Sequence, residues 1–136
     1  MTMNSTNPLD GLQILLVDDD EDSRLLFCTV LSYAGATVTA VRSAIEAIAL
    51  IETIEPDILV ADLRMPTMSG LEMIMQLRME GWSGPAIAVS ACAHKKDVRE
   101  ALESGFDEHL AKPLSITMLV DRIATLLKCV KSENDK

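Results

Sequence analysis

The stretch Leu12-Gln13-Ile14-Leu15-Leu16-Val17-Asp18-Asp19-Asp20 runs a nearly unbroken apolar segment straight into three carboxylates. So short a continuous run is the pattern of a strand buried on both faces, as in a parallel sheet covered by helices. The acids then stand at the strand's carboxyl end. A second stretch repeats the arrangement, with Ile58-Leu59-Val60-Ala61 followed by a lone Asp62. In a parallel sheet both acidic groups arrive at the same edge, where open α/β folds place their ligands. Two unit charges 4 Å apart repel by roughly 4 kcal/mol at a surface-like dielectric, so carboxylates gathered there call for a cation. A hard, oxygen-seeking metal answers best, and Mg²⁺ (or Mn²⁺ in its place) commonly keeps company with a phosphoryl group.

Working outward, the apolar segments 37–41 and 86–89 and the more polar 108–111 supply three further strands. Helical spacing fills the gaps between them. Phe27, Val30, Leu31 and Ala34 fall at i, i+3, i+4 and i+7, as do Ala44, Ala47, Ile48 and Ile51. Val98, Ala101, Leu102 and Gly105 repeat the pattern, as do Ile116, Leu119, Val120 and Ile123, while Leu71, Ile74 and Met75 make a shorter stripe. The punctuation agrees: Ser43 with Glu46 reads as a capping box, Gly35 and Gly105 sit just past helix ends, and Pro56 and Pro85 precede strands. Such a (βα)₅ alternation predicts an α/β fold, a flavodoxin-like open parallel five-stranded sheet with helices on both faces. Strand order 2-1-3-4-5 puts its crevice beside Asp18, Asp19 and Asp62.

With 136 residues and 49% hydrophobic content, the chain suits one domain. The expected boundaries are a flexible tail over 1–10, the domain over 11–128 and a charged tail over 129–136. A formal net charge of −9 argues against unaided binding to nucleic acid or an anionic membrane, which leaves proteins as partners. No apolar run reaches the ~20 residues of a membrane helix, and residues 1–8 lack the regions of a signal peptide, so a cytoplasmic location is expected. Cys28, Cys92 and Cys129 form no metal-binding pattern and are expected as reduced thiols.

From Leu12 to about Leu127 the chain resembles the receiver domain of bacterial two-component response regulators. The resemblance rests on Ile-Leu-Leu-Val-Asp-Asp at 14–19, Asp62 with Met65-Pro66 and Gly70, the pair Ser90-Ala91, and Lys112-Pro113, in order at the ends of strands one, three, four and five. The wording at 105–113 further resembles receivers attached to hybrid sensor kinases. The resemblance implies that Asp62 is the phosphoacceptor and that Asp19, Asp18, Asp62 and the backbone carbonyl of Arg64 hold Mg²⁺. It implies that Lys112 and Ser90 contact the phosphoryl group and that Ala91 keeps the opening clear. His109 takes the place of the aromatic switch residue on the last strand, and Arg64 and Cys92 flank the path of the hydrolytic water. Two positions depart from the commonest pattern, Leu114 for an aromatic and Ser90 for threonine. With aromatics scarce, a Met-rich signalling surface that includes Met118 is expected.

Each of these residues also has a plainer reading. Asp20, Glu21 and Asp22 suit the start of the first helix. Ser90 could simply end a strand, Lys112 guard an edge strand, His109 fill a half-buried site, and Cys92 be a small polar residue. Rival classes separate by sequence. A haloacid-dehalogenase-type phosphatase wants a second Asp where Arg64 stands, and a flavodoxin-like electron carrier needs a phosphate-cradling loop where the acid run stands. The expectation is therefore a single-domain response regulator, not an enzyme acting on other substrates. It takes a phosphoryl group from a histidine kinase or histidine phosphotransfer protein and relays it or switches binding to a downstream protein target. A phosphorylation-dependent homodimer, a receiver belonging to a hybrid kinase and a phosphorylation-independent interaction module stay open.

Overall fold

Ile14, Leu16, Ile58, Val60, Ile87 and Val89 pack on one side of a sheet, and Leu15, Val17, Leu59, Ala61, Ala86 and Ala88 on the other. Successive strand residues point to opposite faces, so the three central strands are buried on both. The structure is a computed structural model describing residues 8–91, 94–112 and 115–134. Its elements are β1 (Gln13–Val17), α1 (Glu21–Tyr33), β2 (Thr37–Val41), α2 (Ala44–Ile54), β3 (Ile58–Asp62), α3 (Gly70–Met79), β4 (Ala86–Ser90), α4 (Lys95–Ser104), β5 (Glu108–Ala111) and α5 (Ile116–Asn134). All strand pairs are parallel and the order is β2-β1-β3-β4-β5. Phe27 and Leu31 of α1 and Leu119 and Ile123 of α5 cover one face. Ala47 and Ile51 of α2, Met73, Ile74 and Leu77 of α3, and Ala101 of α4 cover the other. The α/β fold and strand order expected from the sequence are the ones observed. Among the described residues, no helix is long and apolar enough to cross a membrane.

Several local expectations are corrected. The inward stripe of α3 is Gly70, Met73, Ile74 and Leu77, and Met75 is 51% exposed. The stripe expected from the sequence, Leu71, Ile74 and Met75, lies one residue, about 100°, out of phase with it, because the first member of the observed stripe is a glycine with no side chain to signal it. In α4 only Ala101 is buried and Leu102 is 45% exposed. At α2, Ser43 does accept the Glu46 N–H at 3.2 Å, but the Glu46 carboxylate turns to the Arg42 N–H at 3.1 Å, so the box is not reciprocal. The reciprocal box is at α3, where Ser69 accepts the Glu72 N–H at 3.2 Å and the Glu72 carboxylate accepts the Ser69 N–H at 3.0 Å.

Two features fall within the stretches expected as tails. Leu9 is fully buried against the α1 side of the core, and its N–H donates to the Ala34 carbonyl at 2.9 Å. Helix α5 runs on to Asn134, through a stretch with neither Gly nor Pro to stop it. At the sheet's amino edge, Arg78 donates to the carbonyls of Gly105, Trp82 and Gly84 at 2.7–3.1 Å and lies 4.9 Å from the Trp82 ring centroid. This ties α3 to the starts of β4 and β5. Burial draws the Arg78 pKa down, offset in part by Asp107.

Candidate functional site

β1 and β3 are neighbours with Val17 opposite Ala61, so Asp18, one residue past β1, comes beside Asp62, the last residue of β3. One carboxylate oxygen from each of Asp18, Asp19 and Asp62 lies within 4.8 Å of the others. Asp18 is 1% exposed, and three backbone links fix it there. Its N–H donates to the Val41 carbonyl at 3.1 Å, its own carbonyl accepts from the Arg24 guanidinium at 3.0 Å, and its Oδ1 accepts the Asp20 N–H at 3.0 Å. Asp19 is exposed and Asp62 half-buried. Asp20 caps α1 by accepting the Ser23 N–H at 2.8 Å, which holds its pKa below the ordinary value, and Glu21 and Asp22 sit in the first turn, as their plainer reading had it.

Lys112 follows β5, and its four-carbon stem spans the end of β4 to reach the acids. Its Nζ donates to Asp62 Oδ2 at 3.1 Å and Asp18 Oδ2 at 3.3 Å. The Phe27 ring lies 5.8 Å from the same nitrogen. Burial works against the ammonium, but Asp62 and Asp18 outweigh it and hold the Lys112 pKa above the usual lysine value. At Asp18 the balance goes the other way. Burial pushes its pKa up, Asp62 adds to the push, and the Asp20 N–H and Lys112 only partly counter it. Three carboxylates face one ammonium, and every donor turned inward is oxygen. A hard divalent cation such as Mg²⁺ fits that set.

The loop after β3 is folded tightly against the acids. The Arg64 N–H donates to Asp62 Oδ1 at 2.9 Å, and the Gly70 N–H donates to the Leu63 carbonyl at 2.9 Å. A Cβ on Gly70 would collide with the Asp62 carbonyl and stand 2.9 Å from Leu63 Cα, which is why this position takes glycine. Ser90, the last residue of β4, is 1% exposed; its Oγ and His109 Nε2 are 2.9 Å apart in a hydrogen bond, and its carbonyl accepts the Lys112 N–H at 2.8 Å. Ala91 follows, exposed. Ser90, Leu63, Arg64 and Met65 border a cavity of about 470 Å³ whose far wall is Asp97 and Glu100 of α4.

The structure thus brings together Asp18, Asp19, Asp62 and Lys112, and joins Ser90 to His109. The Arg64 side chain is exposed at the loop's surface. Cys92 and Pro113 lie outside the described residues, and Cys28 is a free thiol. Sequence reasoning missed the contributions of Arg24 and Phe27. Phe27 reads in the sequence only as a member of the core stripe, yet its place about two turns past Asp20 brings its ring to 5.8 Å from the Lys112 ammonium.

These features define the class: an open, doubly wound α/β domain with an acidic, lysine-bridged pocket at the carboxyl edge of its sheet. Residues 14–124 match the response regulator receiver domain family. A 14.6 kDa protein from the sodA1 3′ region of Leptolyngbya boryana is 42% identical over 114 residues, 82% of this chain and 87% of that protein. Response regulator MprA of Mycobacterium ulcerans is 35% identical over 126 residues, 93% of this chain, which spans only 54% of MprA. The receiver domain of the Francisella response regulator 1452 superposes with a TM-score of 0.84 at 32% identity, over 88% of this chain and 99% of that one. The chain belongs to the response regulator receiver domain family. Receivers carry an acidic triad of this kind, bind Mg²⁺ at it, and work with a cognate histidine kinase.

Proposed function

We propose that the unit over 11–128 is a phosphoreceiver in which Asp62 accepts a phosphoryl group from the phosphohistidine of a histidine kinase or histidine phosphotransfer protein. The observation that carries the reading is the Lys112 ammonium, bonded at once to Asp62 at 3.1 Å and Asp18 at 3.3 Å. An oxygen of Asp62 attacks phosphorus, the P–N bond breaks, and its electron pair returns to the imidazole of the donor. Such a transfer asks mainly for positioning and charge neutralisation. Asp18, Asp19, Asp62 and the Arg64 carbonyl would hold Mg²⁺, which when bound neutralises charge on the transferred group. Lys112 moves its hydrogen bonds from carboxylate to phosphoryl oxygen. Ser90 trades its bond with His109 for one to the phosphoryl group, and His109 passes the change to β5.

Within this reading the phosphorylated chain acts in the cytoplasm, either relaying its phosphoryl group or switching its grip on a downstream protein through α4, β5 and α5. The test is intact-mass spectrometry of the chain incubated with acetyl phosphate and Mg²⁺, beside Asp62→Asn and an EDTA control. One phosphoryl adduct, lost in both controls, is the expected result. Failure of the parent to be labelled by acetyl phosphate and by histidine kinases alike would leave a phosphorylation-independent interaction module.

A further inference from the structure

Helix α3 carries an uncovered face on the side opposite its buried stripe. Met75 and Met79, one turn apart, are 51% and 87% exposed. With Glu72 and Glu80 they line a depression of about 520 Å³. A second hollow of about 200 Å³ shares Glu80 and continues to Trp82 and to Glu52 of α2. The two hollows meet at Glu80, whose carboxylate accepts from the Gln76 amide at 3.0 Å, and taken together as a track they combine the apolar Met75, Met79 and Trp82 with the carboxylates of Glu72, Glu80 and Glu52. The basic residue of α3, Arg78, lies over the Trp82 ring at 4.9 Å at one end of this surface, with its guanidinium committed to the carbonyls of Gly105, Trp82 and Gly84 and not to the glutamates.

We propose that this track is the docking site for a basic amphipathic helix of a partner protein. Methionine side chains are unbranched and polarisable, so they re-pack around apolar anchors of varied shape. Anchors at i and i+4 are what a helix lying in a groove presents, and lysines or arginines flanking them would meet the glutamates. A second copy of this chain fits poorly. A two-fold contact through α3 would bring the glutamates of the two copies against each other, on a chain whose net charge is already −9. The proposal stands apart from the phosphoacceptor reading and is tested without phosphate.

Two model peptides of about 18 residues, five helical turns, serve as probes. They share a leucine face and carry either lysines or glutamates on the polar face. Each is titrated into the ¹⁵N-labelled chain, with affinity taken from calorimetry and location from amide shifts. The expected result is binding of the lysine peptide alone, with shifts centred on residues 72–82 and affinity at least about tenfold weaker in the Met75→Ser/Met79→Ser variant. Both positions are exposed, and an unchanged amide spectrum away from α3 verifies that the variant is folded. Glu72→Gln/Glu80→Gln, which keeps a capping side chain at position 72, should weaken binding and flatten its salt dependence. Absence of binding, shifts centred on α1 or α5, or equal affinity for the parent and the methionine variant would overturn the proposal. So would self-association of the parent, seen by sedimentation and lost in the methionine variant, because that would make the occupant a second copy.

Discussion

The carboxylate of Asp18, a residue 1% exposed, is met by one N–H and one ammonium, and burial still pushes its pKa above the ordinary aspartate value. Between those two values the folded chain keeps a proton that the unfolded chain has released, so this group's contribution to stability falls as pH rises. In EDTA at neutral pH, Asp18→Asn is therefore expected to raise the melting temperature. The gain should shrink as the pH approaches the ordinary aspartate value of about 4. Mg²⁺ should reverse the ranking, because only the parent keeps the full oxygen set and gains stability from binding it. Calorimetric melts at two pH values, with EDTA and with Mg²⁺, decide this; a parent more stable than the variant in EDTA would contradict it. Arg64 gives a second expectation. Its N–H fixes Asp62 at 2.9 Å, but its guanidinium is exposed at the mouth of the pocket. Arg64→Ala keeps the first and removes the second, so labelling should survive while the acyl phosphate, less shielded from water, decays about threefold faster, roughly 0.7 kcal/mol in barrier. Equal half-lives by phosphate release would remove Arg64 from the account.

The element that links these residues to the scaffold is the β3–α3 loop with the first turn of α3. Gly70 packs against the Asp62 carbonyl and Leu63 Cα, so Gly70→Ala must displace either the loop or the end of β3. A loss of about 2 kcal/mol or more is expected in urea unfolding, with acetyl phosphate labelling impaired along with it. Ser69→Ala, which removes the cap and spares the contact, should cost only about 1 kcal/mol and leave labelling intact. A Gly70→Ala variant no less stable than Ser69→Ala would show that the loop yields freely. Gly70 itself was legible in the sequence, but its reason was not, because the collision is with backbone eight residues away on another element. The same divide runs through the fold. Strands β1, β3 and β4 announce themselves because burial on both faces leaves an unbroken apolar run, and their last residues locate the acids and Ser90. Leu9 gave no periodic signal, being a single apolar residue in a polar stretch, and the phase of α3 was hidden by the glycine that heads its stripe. Distances that depend on side chains crossing a strand, Lys112 over β4 above all, exist only once the sheet is assembled.

At the scale of the whole molecule the sheet is clasped at one edge and adjustable at the other. At the amino edge, Arg78 fastens α3 to the loops entering β4 and β5 through three carbonyls. At the carboxyl edge, the strands are linked by side chains that can change partners: Lys112 between Asp18 and Asp62, and Ser90 to His109. A phosphoryl group on Asp62 is then expected to rearrange the second edge while the first holds the layers in register, so that the effect travels sideways from β3 through β4 to β5. His109 is the last member of that path, and the Ser90–His109 bond must break for Ser90 to turn toward the new oxygens. His109→Ala removes the bond without touching the acids or Lys112. Labelling of Asp62 by acetyl phosphate should stay within about twofold of the parent, less than 0.5 kcal/mol. Amide shifts induced by Mg²⁺ with beryllofluoride, a phosphoryl mimic, should still appear around Asp62 and Ser90 but lose at least half their amplitude across β5 and α5. Amplitudes that match the parent's on β5 and α5 would mean that the change leaves the pocket by another route, with α4 and its wall of the 470 Å³ cavity the next place to look. The two results differ physically because β5 reaches the pocket through the His109 and Lys112 side chains, whereas α4 faces it across open space.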